Sequence, residues 1–462
     1  MLALVILLAV IPKSGKQLLG KTDDTPDFSR FSWFSMMFGA GVGIGMLTYA
    51  TAEPIFHFTE NPETIMGLVA GQSAENVRHA YKWAALHWAL TPWALYAIVG
   101  ISLAYFGYNR DLPLTIRAPL QPLFGKKLSG AFGHAIDIAA ILATVLGVSV
   151  TIGYGVSQFT SGLFNISPMD WLMDVNGKPS LSAQVFALVI VVGLSTISAL
   201  SGINKGIKWL SNTNMGLSIF LLLFFTVFGA LGFAIKAFGL TIWDYIVSLP
   251  TMSLTHWQNS TDETAKKLFD WQAAWTIFYW AWWIAFAPFV GSFLAKVSRG
   301  RSIREYVLGA VIVPSLTCLT WFTLVGGTAI DLELSGLAKG AILNADTSSQ
   351  LFETINLMLS PELAAAMSAV IIALLLTYLV TSVDSAILVI TTIAAAGKQH
   401  RRNSKHIIIW GVLFVAVIAS LLAAGGLDAI RSAMIIGALP FSMIMLLTSI
   451  SLIKCLFFSN QD

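Results

Sequence analysis

Charge is what this sequence has least of. Of 462 residues, 11% are Asp, Glu, Lys or Arg, where a soluble domain carries about 25%. A chain so poor in charge cannot clothe a water-facing surface, and no nucleic-acid partner is expected of it. Cysteine is nearly absent. Cys318 and Cys455 both fall in apolar segments and offer neither a disulfide framework nor a metal-ligand spacing. The seven histidines (His57, His79, His87, His134, His256, His400, His406) are scattered, with no HExxH pattern and no close His/Asp set. The constellations of a membrane-embedded enzyme are therefore missing, and no enzymatic activity is expected.

What fills the chain is apolar: 56% hydrophobic residues and a mean hydropathy of +0.75. That composition reads as a polytopic membrane protein. Spans are expected near 33–57, 84–107, 135–160, 184–202, 213–237, 271–294, 306–330, 363–396, 407–424 and 431–457, most of them long enough for roughly 20 apolar residues. Met1–Pro12 is too short to cross alone and reads as the end of a longer helix. Of the 27 Lys and Arg, 19 fall in one alternating set of loops. The positive-inside bias puts that set, and the C-terminus, in the cytoplasm. The long loops 58–83, 161–183, 238–270 and 331–362 then face outward, with amphipathic stretches such as Thr241–Pro250 able to lie on the surface.

Four stretches stand out. Asp270–Val290 carries Trp271, Trp275, Trp280, Trp282 and Trp283 through mid-span, and Trp275, Tyr279, Trp282 and Phe286 share one helical face. Pro288 is expected to interrupt that helix. Such a wall suits a cation, since ring faces attract positive charge; packing plus an interfacial belt is the alternative. His87–Tyr96 adds Trp88, Trp93 and Tyr96 around Pro92, spread over too much depth for a belt. In Phe38–Met46 four glycines alternate (Gly39, Gly41, Gly43, Gly45). A GxxxG packing face explains part of this. Stripping both faces suits a helix that unwinds at mid-membrane, tolerated only where it lines a cavity. Finally, Leu363–Ala396 holds Tyr378, Thr381, Ser382, Asp384 and Ser385 near its centre. Hydroxyls suit a hard cation but often bond back to their own helix. An intramembrane carboxylate is a functional candidate by default, with capping or pairing as its plainer role. The spans divide into five, a long outer loop and five more, and odd-numbered halves have opposite topology, as inverted repeats do.

GAGVGIG followed by Ala52-Glu53-Pro54, HWALTPWALY, and FYWAWWIAFAPFVGSFLAKVSRGRSIREY together resemble the betaine/choline/carnitine transporter family, over nearly the whole chain. The resemblance implies an all-α integral membrane protein of leucine-transporter type, two inverted five-helix repeats with a partial extra N-terminal helix. The divisions expected are 1–29 (partial helix and cytoplasmic segment), 30–237 (first repeat), 238–270 (outer connection), 271–457 (second repeat) and 458–462 (cytoplasmic tail). It implies sodium-coupled uptake of a quaternary-ammonium osmolyte like glycine betaine, in the lipid of the cell membrane and commonly as a homotrimer. The alternative is a proton-coupled choline carrier or a carnitine/betaine exchanger.

Residue by residue, the family's aromatic box maps to Trp88, Trp93, Tyr96 and Trp283. Trp282 and Phe278 are similar to positions lining the route beneath it. Phe286 stands where another Trp is frequent, and Gly41 and Gly43 are expected in the unwound backbone beside the substrate. The sodium site resembles main-chain oxygens of Gly39, Val42 and Tyr378 with the hydroxyls of Thr381 and Ser382. Gly45 matches sodium-coupled members, where proton-coupled choline carriers tend to carry Asp, and Asp384 is the other coupling candidate. Sodium is the coupling ion, and no cofactor is expected.

Overall fold

The computed structural model describes residues 1–41, 43–201, 208–395 and 404–458. Among these the chain is almost entirely helical, with only isolated β-bridges such as Leu18 to Ser302. Among the described residues, nine helices are long and apolar enough to cross a membrane. The last, Ser404–Ile453, has 50 residues, about 75 Å of α-helix against a bilayer core of about 30 Å. It breaks into two at Gly425 and Gly426, the latter at φ 63°, a left-handed angle that favours glycine.

The order of elements gives two fives. The first begins with a broken helix, Arg30–Gly41 and Ile44–Thr59. It continues through Asn76–Trp88 with Leu90–Ala104, then Ala131–Ile166, Leu181–Ser201 and Lys208–Phe228. The second runs from Glu263 to Val297, Ile303 to Leu334, Pro361–Ala394, and the two halves of Ser404–Ile453. This is the leucine-transporter-type architecture.

Two local expectations change. Pro288 does not interrupt the Trp-rich helix: Phe278–Val297 runs through it unbroken. Proline removes one ladder bond, and the buried surroundings absorb the loss. The irregularity sits earlier, in the π turn Ala273–Ile277. Next, the outer connection expected over 238–270 is largely helical, because Leu231–Leu254 is one helix. The chain breaks instead at Gly229–Ala230, where the Thr328 hydroxyl accepts from the Ala230 amide at 3.1 Å. Asp244, which reads as a loop residue, takes two bonds from Arg78, at 2.8 and 2.5 Å. The stretch Thr241–Pro250 belongs to that helix. Residues 459–462 of the expected tail lie outside the described residues.

Helix Leu90–Ala104 and helix Phe278–Val297 press together where both carry glycine. A Cβ on Gly291 would lie 2.7 Å from Val99, and one on Gly100 would lie 3.2 Å from the Gly291 carbonyl and collide with the Tyr306 hydroxyl. This close approach sets Trp283 against the helix that carries Trp93 and Tyr96.

Beyond the end of Ile44–Thr59, Asn61 caps the short helix Pro62–Ile65 and bonds Asn76 at 2.7 Å. Next to it Glu63 accepts from the Lys82 ammonium and, at 2.7 Å, from the Trp83 indole. Burial alone would raise the Glu63 carboxyl. Bonds from His79, Lys82 and Trp83 outweigh it and hold the group down from 4.5 to about 2. A depressed carboxylate contributes stability in full above its unfolded value and loses it as pH falls through the folded one. Melting temperature should therefore drop more steeply in the wild type than in Glu63→Gln between pH 4.5 and 2. Parallel slopes in a pH series of thermal melts would contradict the latch.

Candidate functional site

The site begins with two backbone carbonyls that lose their helical partners. Asn76–Trp88 ends at Ala89 (φ −89°, ψ −125°) and a new helix starts at Leu90. Pro92 has no N–H to offer the Trp88 carbonyl. Buried carbonyls must find other donors. Trp93 Nε1 takes the Trp88 carbonyl at 3.1 Å, and Trp283 Nε1 takes that of His87 at 2.9 Å. The indoles of two predicted box residues thus cap the broken helix and are fixed in orientation by it.

The four predicted box rings form one chain of edge contacts. Trp88 meets Trp283 at 5.0 Å and 75°, Trp283 meets Tyr96 at 6.2 Å and 87°, and Tyr96 meets Trp93 at 5.5 Å and 78°. All four are at most 7% exposed. Trp282 stacks on Trp283 at 5.1 Å and 7°, extending the aromatic surface toward Tyr49 and Tyr154. Phe278, one turn earlier, carries the Arg431 guanidinium over its ring at 4.2 Å, and Arg431 also donates to the Ala274 carbonyl at 2.6 Å. Phe286 sits apart from the box, edge-on to Phe289 at 5.6 Å and over Gly147 of helix Ala131–Ile166.

The glycine run does interrupt its helix. Helix Arg30–Gly41 ends, Gly43 is extended (φ −154°, ψ −173°), and Ile44 starts the next helix. The last carbonyls of a helix lack intrahelical donors, and Gly39 and Gly41 lie at that end. Gly43 has open space where a Cβ would be. Gly45 has none: its Cβ would stand 3.0 Å from Trp282 and 3.2 Å from Trp88. A side chain at 45 would push on the box.

Of the predicted sodium ligands, Val42 lies outside the described residues. Tyr378, Thr381 and Ser382 share one face of helix Pro361–Ala394. The Thr381 hydroxyl donates to Thr377 and Tyr378 carbonyls at 3.0 and 3.1 Å and accepts from Asn214 at 3.1 Å. Asn214 was not singled out in the sequence. Asp384 is fully buried and ties two helices: Ser198 donates to Oδ2 at 2.8 Å and Ser385 to Oδ1 at 3.1 Å.

Sequence reading also missed a buried polar cluster above the box. His57 and His87, scattered in the chain, meet at Glu53. Its Oε1 lies 2.6 Å from His87 Nδ1 and 3.3 Å from His57 Nε2, and its Oε2 accepts from Trp88 Nε1 at 2.6 Å and the Tyr279 hydroxyl at 2.5 Å. Thr276 Oγ1 stands 3.1 Å from His87 Nε2. The only advance signs were a carboxylate inside a span and the i,i+4 spacing of Glu53 and His57. The ligand atoms lie within 4.8 Å of one another, and these residue types bind zinc. Four hydrogen bonds to one carboxylate, however, leave the set organised around the carboxylate rather than around an ion.

A first repeat that opens on a helix broken at Gly43 and a second whose first helix carries the π turn Ala273–Ile277 meet around a buried aromatic site, the arrangement of a secondary transporter of the leucine-transporter class. Consistent with this, a sodium-coupled sialic acid symporter in a substrate-bound outward-open state superposes with a TM-score of 0.53 at 13% identity, over 97% of this chain and 84% of that one. Residues 1–461 match the model of the betaine/carnitine/choline family transporters, and the chain belongs to that family. The glycine betaine transporter OpuD of Bacillus subtilis is 37% identical over 97% of this chain and 83% of its own length. The glycine betaine/proline/choline transporter of Vibrio parahaemolyticus is 34% identical over 98% and 80%. The high-affinity choline transport protein of Escherichia coli K12 is 35% identical over 96% of this chain, which spans 62% of that longer protein.

The two glycines make opposite predictions. Gly45→Ala should weaken solute binding by about tenfold, the loss of one good ring contact, in a protein that still folds. Gly43→Ala, with room for the methyl, should bind within about twofold of wild type. Equal binding by both variants in a ligand-binding assay on purified protein would contradict the placement of Gly45 under the box.

Proposed function

We propose that this protein imports a quaternary-ammonium osmolyte of the glycine betaine type across the cell membrane, driven by sodium. The observation that carries the reading is the buried ring chain Trp88–Trp283–Tyr96–Trp93, with Gly45 bare beneath it. Ring faces hold a trimethylammonium group without a hydrogen-bond code, and the names of the OpuD and Vibrio relatives agree with that chemistry. Trp282, Phe278 and Phe286 would line the route, and the backbone at Gly41 and Gly43 would reach the polar end of the solute. Sodium would be held by the carbonyls of Gly39, Val42 and Tyr378 and the hydroxyls of Thr381 and Ser382, all oxygens, as hard cations prefer. The C-terminus would face the cytoplasm, and the assembly would be a homotrimer in lipid.

The rival is a proton-coupled choline carrier or a carnitine/betaine exchanger. The buried Asp384 favours proton coupling. Its two serine bonds favour a helix tie instead.

Two measurements decide. Each good ring in a dry site contributes about 2 kcal/mol or more, so Trp283→Leu should weaken binding more than tenfold in a folded protein; near-normal affinity would sink the box. In proteoliposomes with sodium and proton gradients imposed separately, uptake should follow sodium, and Thr381→Ala and Ser382→Ala should raise the sodium concentration needed. By linkage, solute should tighten sodium binding by the same factor that sodium tightens solute binding. Uptake that follows protons in sodium-free buffer, and is lost in Asp384→Asn, would promote the rival.

A further inference from the structure

We propose that Glu53 is the positioning residue of the aromatic box: its carboxylate holds Trp88 by the indole N–H and enriches that ring in electron density, which sets the preference for a solute with a cationic head group over one whose head group has the same shape and no charge. The inference rests on the reading of the box as the cation site.

Glu53 lies on helix Ile44–Thr59, fully buried, and bonds side chains on two of the helices that build the box, Asn76–Trp88 and Phe278–Val297. Trp88 Nε1 donates to Oε2 at 2.6 Å, which fixes the indole edge-on to Trp283. Tyr279 donates to the same oxygen at 2.5 Å, and its ring stacks on Trp283 at 5.6 Å and 20°. His87 Nδ1 lies 2.6 Å from Oε1, while the His87 carbonyl accepts from Trp283 Nε1 at 2.9 Å. One carboxylate therefore restrains two box tryptophans, Trp88 through its side chain and Trp283 through the backbone of His87. An ionised carboxylate only accepts hydrogen bonds, and four donors converge on this one: His57, His87, Trp88 and Tyr279.

The electronic consequence follows from elementary chemistry. An N–H bonded to an anion gives up part of its proton's pull, so charge moves into the ring to which that nitrogen belongs. Hydrogen bonds polarise one another in a low-dielectric interior, and bonds to charged groups are the strong ones. A cation is held by the negative charge on the ring face. Trp88 anchored to a carboxylate is thus a better cation surface than Trp88 anchored to a neutral acceptor.

The test compares glycine betaine with 3,3-dimethylbutanoate, in which carbon replaces the quaternary nitrogen, as ligands of the purified full-length chain. Affinities are read by competition against labelled glycine betaine. Wild type should prefer glycine betaine; equal affinities there would overturn the box reading itself, whatever Glu53 does. In Glu53→Gln the glycine betaine affinity should fall about tenfold, the size of a lost charge-assisted bond, with the isostere changing about twofold or less. An equal fall for both ligands would mean that Glu53 only supports the shape of the site, and would overturn the electronic part. No change for either would overturn the whole. Should Glu53→Gln fail to fold, Tyr279→Phe serves: it leaves Trp88 alone on Oε2, so the preference for glycine betaine should hold or rise, and a fall in that preference would count against the proposal.

Discussion

A carbonyl inside a bilayer has to find its hydrogen-bond donor within the protein, and the architecture around this site follows from that demand. At two interruptions here, orphan backbone groups appear and something specific answers them. At Ala89 the answer is a pair of indole N–H groups, from Trp93 and Trp283. At Gly229–Ala230 an orphan amide finds the Thr328 hydroxyl. Breaks in membrane helices are tolerated only where such partners or a polar cavity exist. The breaks and the aromatic residues are therefore one design rather than two neighbouring features.

The fold was legible because its signals are long and redundant. Five apolar spans, an interval and five more are read from hydropathy alone, and alternating glycines mark the helix break at Gly43. Boundaries were less legible where local chemistry and tertiary context disagree. Pro288 carries a helix-breaking residue in a helix that does not break, because one missing N–H costs little when the remaining ladder is buried. Asp244 looks like a loop residue, yet it sits on helix Leu231–Leu254, paired with Arg78.

The ring set was legible from its improbable depth, as three aromatics around Pro92 and five tryptophans in one span. The Glu53 cluster was not. Glu53, His57 and His87 come from two helices with the histidines 30 positions apart, and nothing in periodicity says that a turn of one faces a turn of the other. Asn214 escaped for the same reason: its bond to Thr381 crosses between helices far apart in sequence. Side chains that act through a third element leave little trace in a linear pattern, whereas residues that break their own helix announce themselves.

The cap on the His87 carbonyl has a consequence for how the protein is made. The carbonyl belongs to the first five helices, and its donor, Trp283, belongs to the second five. A ribosome delivers the first half to the membrane well before Trp283 exists. Until the later half docks, that oxygen is either wet or unsatisfied, and the first half has no settled packing around Ala89. Closing the aromatic site and marrying the two halves of the polypeptide are then the same event, so a chain that has assembled wrongly has no completed aromatic site.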